Sequence, residues 1–135
     1  MKYFKMSEFT KTRVNADNTP SAEHEMNLRN LVEKILDPLR GAYGKPIHVN
    51  SGYRSKAVNE GLKQLGFKVA ANSQHMNGEA ADITAGNPAE NRKLFEMIRN
   101  GGYTFDQLID EEDYKWLHVS LKRTGSNRMQ VLHLK

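Results

Sequence analysis

A chain of 135 residues has the length of one domain and leaves no room for a second. Hydrophobic residues at 38% and charged residues at 27% make it polar for a globular protein, yet apolar enough to exclude a disordered chain. Lys and Arg number 20 against 16 Asp and Glu, a net charge of +4, but the basic residues run no more than two together, as in Arg92-Lys93 and Lys122-Arg123. That is a mild attraction to polyanions such as nucleic acids, anionic membranes or envelope polymers, without the basic stripe of a nucleic-acid binder. Cysteine is absent, which excludes disulfides and thiolate metal sites. The longest apolar run, Val69-Ala70-Ala71, is too short for a membrane span or a secretory leader. The N-terminus therefore reads as that of a mature protein, and a target outside the cell must be reached by another route.

The first predicted element is a helix that Thr19 can cap, with Pro20 in its first turn, where a missing N–H costs nothing. Leu28, Leu31, Val32, Ile35 and Leu39 fall on one face, Pro38 should kink or end the helix, and Gly41 and Gly44 should finish it. Alternation in residues 46–50 predicts a short strand, and Ser51-Gly52-Tyr53-Arg54-Ser55 a loop into a second helix that ends near Gly66. Residues 67–79 are rich in Asn, Ser, Gln, Gly and His, the composition of a functional loop. Residues 80–84 read as a strand of small residues that permits close approach of another group. The third helix has the clearest start, because Asn87-Pro88-Ala89-Glu90 offers a cap, a first-turn proline and a capping-box acid. Leu94, Met97 and Ile98 give it a buried face and Gly101-Gly102 stop it. Residues 105–109, 116–121 and 129–134 then predict three strands in an antiparallel meander, so the fold class is α+β.

Five histidines and several carboxylates invite a metal site of nitrogen and oxygen ligands. His24, between Glu23 and Glu25 in the first turns of a helix, reads as solvent-exposed. His48 and His133 lie in strand patterns and read as surface or satisfied core residues. His75 differs, because its loop runs directly into the small-residue strand containing Asp82, and such a segment can aim two ligands at one point. Alternation puts His118 on the face opposite Leu117 and Val119, so it need not be buried with the core. Two histidines and an aspartate would leave zinc an open coordination position, although a His-x6-Asp spacing by itself is a weak signal.

Four motifs in order carry a resemblance: Ser51-Gly52-Tyr53-Arg54-Ser55; Ser73-x-His75-x-x-Gly78-x-Ala80-x-Asp82; Phe105-Asp106-Gln107-Leu108-Ile109; and Trp116-x-His118-Val119-Ser120. Together they resemble the zinc D-Ala-D-Ala carboxypeptidase family, which includes phage endolysins that cut the L-alanyl-D-glutamate bond and shares its fold with the hedgehog signalling domain. The resemblance implies one zinc peptidase domain over residues 1–135, with an antiparallel sheet and helices packed on one side, hedgehog/DD-peptidase-like. It implies one zinc ion bound by His75, Asp82 and His118, a zinc-activated water attacking the peptide carbonyl, and a carboxylate as general base. Arg54 would meet a substrate carboxylate or the developing oxyanion, and Ser73 would hydrogen-bond substrate or a ligand.

Many relatives carry a glutamate three residues before the last histidine, where this chain has Lys115. Phage-type and prophage-type relatives resemble Gln-Leu-Ile-x-Glu instead, which makes Glu111 the base, although Asp110, Glu112 and Asp113 crowd the same turn. Tyr53 and Trp116 read as structural, and Glu79 as pointing outward. The expected substrate is a peptidoglycan stem peptide or muropeptide, cut by a monomer without nucleic-acid or membrane partners. The enzyme is expected to be made in the cytoplasm and to reach the wall by phage-type release. The alternatives are an L-alanyl-D-glutamate endopeptidase (a phage endolysin), a non-catalytic zinc-containing wall-binding module, to which Lys115 points, and a small basic nucleic-acid binder, to which only the charge points.

Overall fold

The computed structural model describes residues 1–70 and 72–135, so the part of the loop expectation that falls on Ala71 lies outside the described residues. Among the described residues the elements follow in the order α1 Ser7–Thr10, α2 Ala22–Leu31, α3 Asp37–Tyr43, β1 His48–Ser51, α4 Lys56–Gln64, β2 Ala80–Thr84, α5 Pro88–Asn100, β3 Gln107–Glu111, β4 Trp116–Ser120 and β5 Gln130–Leu134. A π-turn over Val32–Leu36 joins α2 to α3, and a 3-10 turn over Gln74–Asn77 precedes β2. The α+β expectation holds. No helix among the described residues is long and apolar enough to cross a membrane.

The strands form one sheet in the order β1-β2-β4-β3-β5. Neighbours are antiparallel except β3 and β5, which run parallel, so the last three strands are not the expected meander. The reason lies in β4, whose far edge is already taken by β2, with Asp82 opposite His118. The free edge belongs to β3, and the chain after β4 crosses the start of β3 to reach it. Asp106 holds that crossing: its fully buried carboxylate accepts from the Arg128 backbone at 2.9 Å and from the Arg128 guanidinium at 2.7 Å.

Alternation decides what each sheet face carries. Val49, Ala81, Ile83, Leu108, Leu117 and Val119 enter the core with Leu28, Leu31, Val32, Ile35, Leu36 and Leu39 of the first helical run and Leu94, Phe95 and Ile98 of α5. Each fully buried Leu, Ile or Phe side chain contributes about 1.5–3 kcal/mol relative to exposure. The opposite face receives Asp82, His118 and Glu111.

The first helix starts later than expected and continues through its proline. Ser21 is the cap, accepting from the His24 backbone at 3.1 Å. Thr19 is unavailable because Asp17 accepts from both its backbone N–H, at 3.0 Å, and its hydroxyl, at 2.7 Å. Before Pro38 the backbone widens, so that the Asp37 N–H reaches back five residues to the Val32 carbonyl, and the helix runs on to Gly44 in left-handed conformation. In α5 Asn87 caps as expected, but Glu90 does not close a capping box: its side chain binds the Tyr43 hydroxyl at 2.6 Å, Lys45 at 3.1 Å and Lys93 at 2.8 Å. The N-terminal segment, for which no element was expected, folds as α1 and buries Phe4 and Phe9 edge to face in the core.

Candidate metal centre

Three elements build the centre. Asp82 on β2 and His118 on β4 are cross-strand partners on the face away from the helices, a placement fixed by register alone. His75 arrives from the 3-10 turn that precedes β2. Asp82 Oδ1 lies 3.1 Å from His118 Nδ1 and 3.2 Å from His75 Nε2, and donor atoms of all three residues lie within 4.8 Å of one another. The imidazoles stand at 72° with centroids 5.2 Å apart.

The turn that carries His75 is tied on every side. Ser73 Oγ accepts from the His75 backbone at 3.1 Å, and the His75 carbonyl accepts from the Arg54 backbone at 3.0 Å. His75 Nδ1–H donates to the Gly52 carbonyl at 2.7 Å, which orients the ring so that Nε2 faces Asp82 and would be the nitrogen presented to a bound metal. Gly52 must be glycine, because a Cβ there would lie 2.7 Å from both Cα and the carbonyl oxygen of Phe9. Gly78 ends the turn at φ +73°, where a Cβ would lie 2.4 Å from the His24 carbonyl oxygen.

This donor set fits a divalent ion. Burial pushes the Asp82 carboxyl up, but the two histidines outweigh it and hold the group well below the usual carboxylate range, so it stays ionised. Two imidazoles and one carboxylate with lone pairs converging on one point suit zinc and leave a fourth position for water or substrate.

Glu111 sits on the same sheet face, opposite Trp116. Its Oε2 accepts from the Trp116 indole N–H at 3.1 Å. Burial raises its pKa and the charge of Asp82 raises it further, while His118, the indole N–H and His75 oppose the rise. The neighbouring acids are engaged elsewhere. Asp110 points to the helical side and pairs with His133, and Glu112 lies at the surface 3.8 Å from Lys115. Arg54 is half-buried, with Nη2 3.4 Å from Ser73 Oγ and Nε buried without a partner. Desolvation lowers its pKa, and Asp82 and Glu111 pull it back up, so the guanidinium feels both carboxylates.

The structure thus brings together His75, Asp82, His118, Glu111, Arg54 and Ser73, and leaves His48 and His133 outside. Three side chains differ from expectation. His24 is not solvent-exposed but half-buried, stacked on Tyr53 with centroids 5.1 Å apart, because Gly78 draws the start of α2 against the metal loop. Glu79 is half-buried rather than outward, with its backbone carbonyl accepting from Leu121 at 2.9 Å and burial raising its pKa. Trp116, read as structural, is the partner of Glu111; alternation places it on the His118 face, and that was the available signal. Tyr53 is a core residue, as expected. Asn18 was missed entirely: it donates to the Tyr53 carbonyl and accepts from the Ser55 N–H, so it grips both peptide groups flanking Arg54. A buried asparagine in a segment without periodicity carries no sequence signal.

A sheet that gathers two histidines and an aspartate at one point, with a half-buried glutamate on the same face, is the framework of a metallopeptidase. Comparison with known proteins agrees: a family model described as Peptidase M15 matches residues 2–120, and the chain belongs to that family. It is also 41% identical over 70 residues to the zinc D-Ala-D-Ala carboxypeptidase of Streptomyces albus G, a match covering 51% of this chain. The same match covers 25% of that relative's length.

Proposed function

We propose that the chain is a zinc metallopeptidase that cleaves peptidoglycan stem peptides in the manner of a D-Ala-D-Ala carboxypeptidase. The observation that carries the proposal is the convergence of His75, Asp82 and His118 within 4.8 Å, with Glu111 electrostatically coupled to that point. The relative's name supports both the ion and the substrate class. His75 Nε2, Asp82 and His118 Nδ1 would hold the zinc. When bound, zinc polarises the scissile carbonyl and lowers the pKa of a coordinated water from about 15.7 to near 7.

The remaining chemistry belongs to side chains. Glu111 accepts a proton from the attacking water and returns it to the departing amine, and its upward-shifted pKa suits both halves of that transfer. The Trp116 N–H holds Oε2, leaving Oε1 to carry the proton. Arg54 offers its guanidinium to the substrate's carboxylate or to the developing oxyanion, in a partly desolvated position that strengthens such a bond. Ser73 steadies that guanidinium and caps the His75 turn. Phage-type release from the cytoplasm to the wall is part of the same proposal, resting on the Gln107-Leu108-Ile109-x-Glu111 pattern, and so is action as a monomer.

Purified peptidoglycan is the test substrate, with mass analysis of released fragments for the native, chelator-treated and Glu111→Gln proteins. Metal-dependent release that falls by about 10²–10⁴-fold in the variant is expected. Lost D-Ala identifies the carboxypeptidase, and a new L-alanyl terminus on the glycan side the endopeptidase. No release from protein shown to hold one zinc overturns the enzymatic reading in favour of a binding module.

A further inference from the structure

The metal centre has two ligands on adjacent strands and one on a turn, and the turn has an attachment that neither the metal nor the substrate requires. Gln74, the residue before His75, sends its Nε2–H to Asp106 Oδ2 at 3.0 Å. Asp106 is fully buried and directly precedes β3; its backbone N–H donates to the Ser120 carbonyl at 2.8 Å, two residues beyond His118 on β4. Its carbonyl accepts from Gln130 at 3.0 Å, and its carboxylate takes the Arg128 guanidinium, of which half is exposed. One buried residue therefore joins the His75 turn through its carboxylate, the end of the His118 strand through its backbone N–H, and the crossing to β5 through both its carboxylate and its carbonyl.

The orientation of Gln74 supports a specific attachment. The amide nitrogen faces the carboxylate and the amide oxygen is buried without a partner. Turning the amide over would set oxygen against oxygen, so Asp106 dictates the arrangement and the unsatisfied Oε1 is its consequence. An orphaned acceptor beside a ligand turn persists where surrounding structure over-determines it.

We propose that Gln74 and Asp106 form a positioning pair, in which the buried carboxylate holds the His75 turn in register with His118 and so sets the affinity of the centre for its metal. The proposal rests on the metallopeptidase reading above. Gln74→Leu removes the amide and keeps the side-chain size, leaving the Asp106–Arg128 pair, the Ser73 cap and the Gly52 contact intact. Two readouts separate positioning from general support. Zinc affinity, measured by competition with a chromogenic chelator on protein that is folded by circular dichroism, should weaken by about 10–100-fold. In the metal-free protein, the NMR signal of the His75 Nδ1–H should broaden or exchange faster.

Arg128→Ala serves as the contrast, because it weakens the crossing to β5 while the Gln74 amide and its acceptor stay in place, with the Arg128 backbone N–H still on Asp106 Oδ1: it should lower the melting temperature and cost clearly less zinc affinity than Gln74→Leu. Should Gln74→Leu fail to fold, Gln74→Glu decides, since it has the same size and repels Asp106; its zinc affinity should also fall. Wild-type affinity in whichever Gln74 variant folds overturns the proposal, as does an affinity loss in Arg128→Ala equal to that of Gln74→Leu. If the native protein binds no zinc, the metallopeptidase reading fails instead, and an unchanged His75 signal in Gln74→Leu overturns the positioning pair independently.

Discussion

Gly52→Ala tests the whole support of the turn ligand with a single methyl group. The added carbon would meet Cα and the carbonyl oxygen of Phe9 at 2.7 Å and Cβ at 2.8 Å. Two of those three atoms are backbone, in a residue whose ring is fully buried, so neither can swing aside. Either α1 or the Gly52 peptide must move, and the 2.6 Å hydrogen bond from Tyr53 N–H to the Phe9 carbonyl moves with it. Overpacking of this kind costs about 1–3 kcal/mol. At this chain length that is a melting temperature lower by about 4–11 °C. The second consequence is specific: the displaced Gly52 carbonyl is the acceptor that orients His75 through Nδ1, and loss of such an outer contact weakens metal binding by about 10–100-fold. Calorimetry of the metal-free protein gives the first quantity, and chelator competition at a temperature where the variant is folded gives the second. A melting temperature that falls while zinc affinity stays at the native value would refute the link from Phe9 through Gly52 to His75. No change in either would refute the close approach itself.

Two further outcomes follow from charges. In Trp116→Phe, Glu111 loses the indole N–H that stabilises its ionised form, so its pKa rises and the acidic limb of the kcat/KM profile should move to higher pH by about one unit; a limb that stays or moves down contradicts the assignment of Glu111 as base. Asp106 has its pKa lowered to about 2, chiefly by the Arg128 hydrogen bonds. A lowered carboxylate pKa adds stability above the unfolded value near 3.8 and loses it as pH falls toward about 2. Because Arg128 is half exposed, the contribution is about 1–2 kcal/mol, and the urea-denaturation gap between the native protein and Asp106→Asn should narrow by that amount between about pH 5 and pH 2. A gap independent of pH contradicts it.

Wherever periodicity or a cap governs the backbone, the sequence sufficed. Strand β2 lies where its small residues predict it, α5 starts at Asn87 and α4 follows the Ser55 cap. The errors arise where another side chain or strand competes for the group in question. Asp17 occupies Thr19, β2 occupies the edge of β4 that a meander needs, and Glu90 is taken by Tyr43 and two lysines. Tyr43, Lys45 and β2 act across the fold, beyond any local pattern, whereas Asp17 and Lys93 compete from two and three residues away, where a turn or an ion pair within one helix overrides the cap. The N-terminal segment shows the same limit, because a single turn of helix has no periodicity to read, yet it places Phe9 against Gly52.

The metal centre divides along the same line, and the division explains its construction. Asp82 and His118 were legible because a two-residue alternation and an antiparallel register bring them face to face with no further support. His75 was legible as a residue type in a motif, but its position comes from Gly52, Ser73, Gln74 and Arg54, four contacts spread over 23 residues of sequence. A rigid sheet can hold two donors at fixed separation, whereas a donor on a turn has to be immobilised by its surroundings before it adds affinity rather than entropy cost. That is why Ser73, Gln74 and His75 are engaged inward, why glycine stands at position 78, where the His24 backbone crosses the turn, and at position 52, where the Phe9 backbone crosses the segment that holds His75, and why substitutions around His75 should perturb the metal more than equal substitutions around Asp82 or His118.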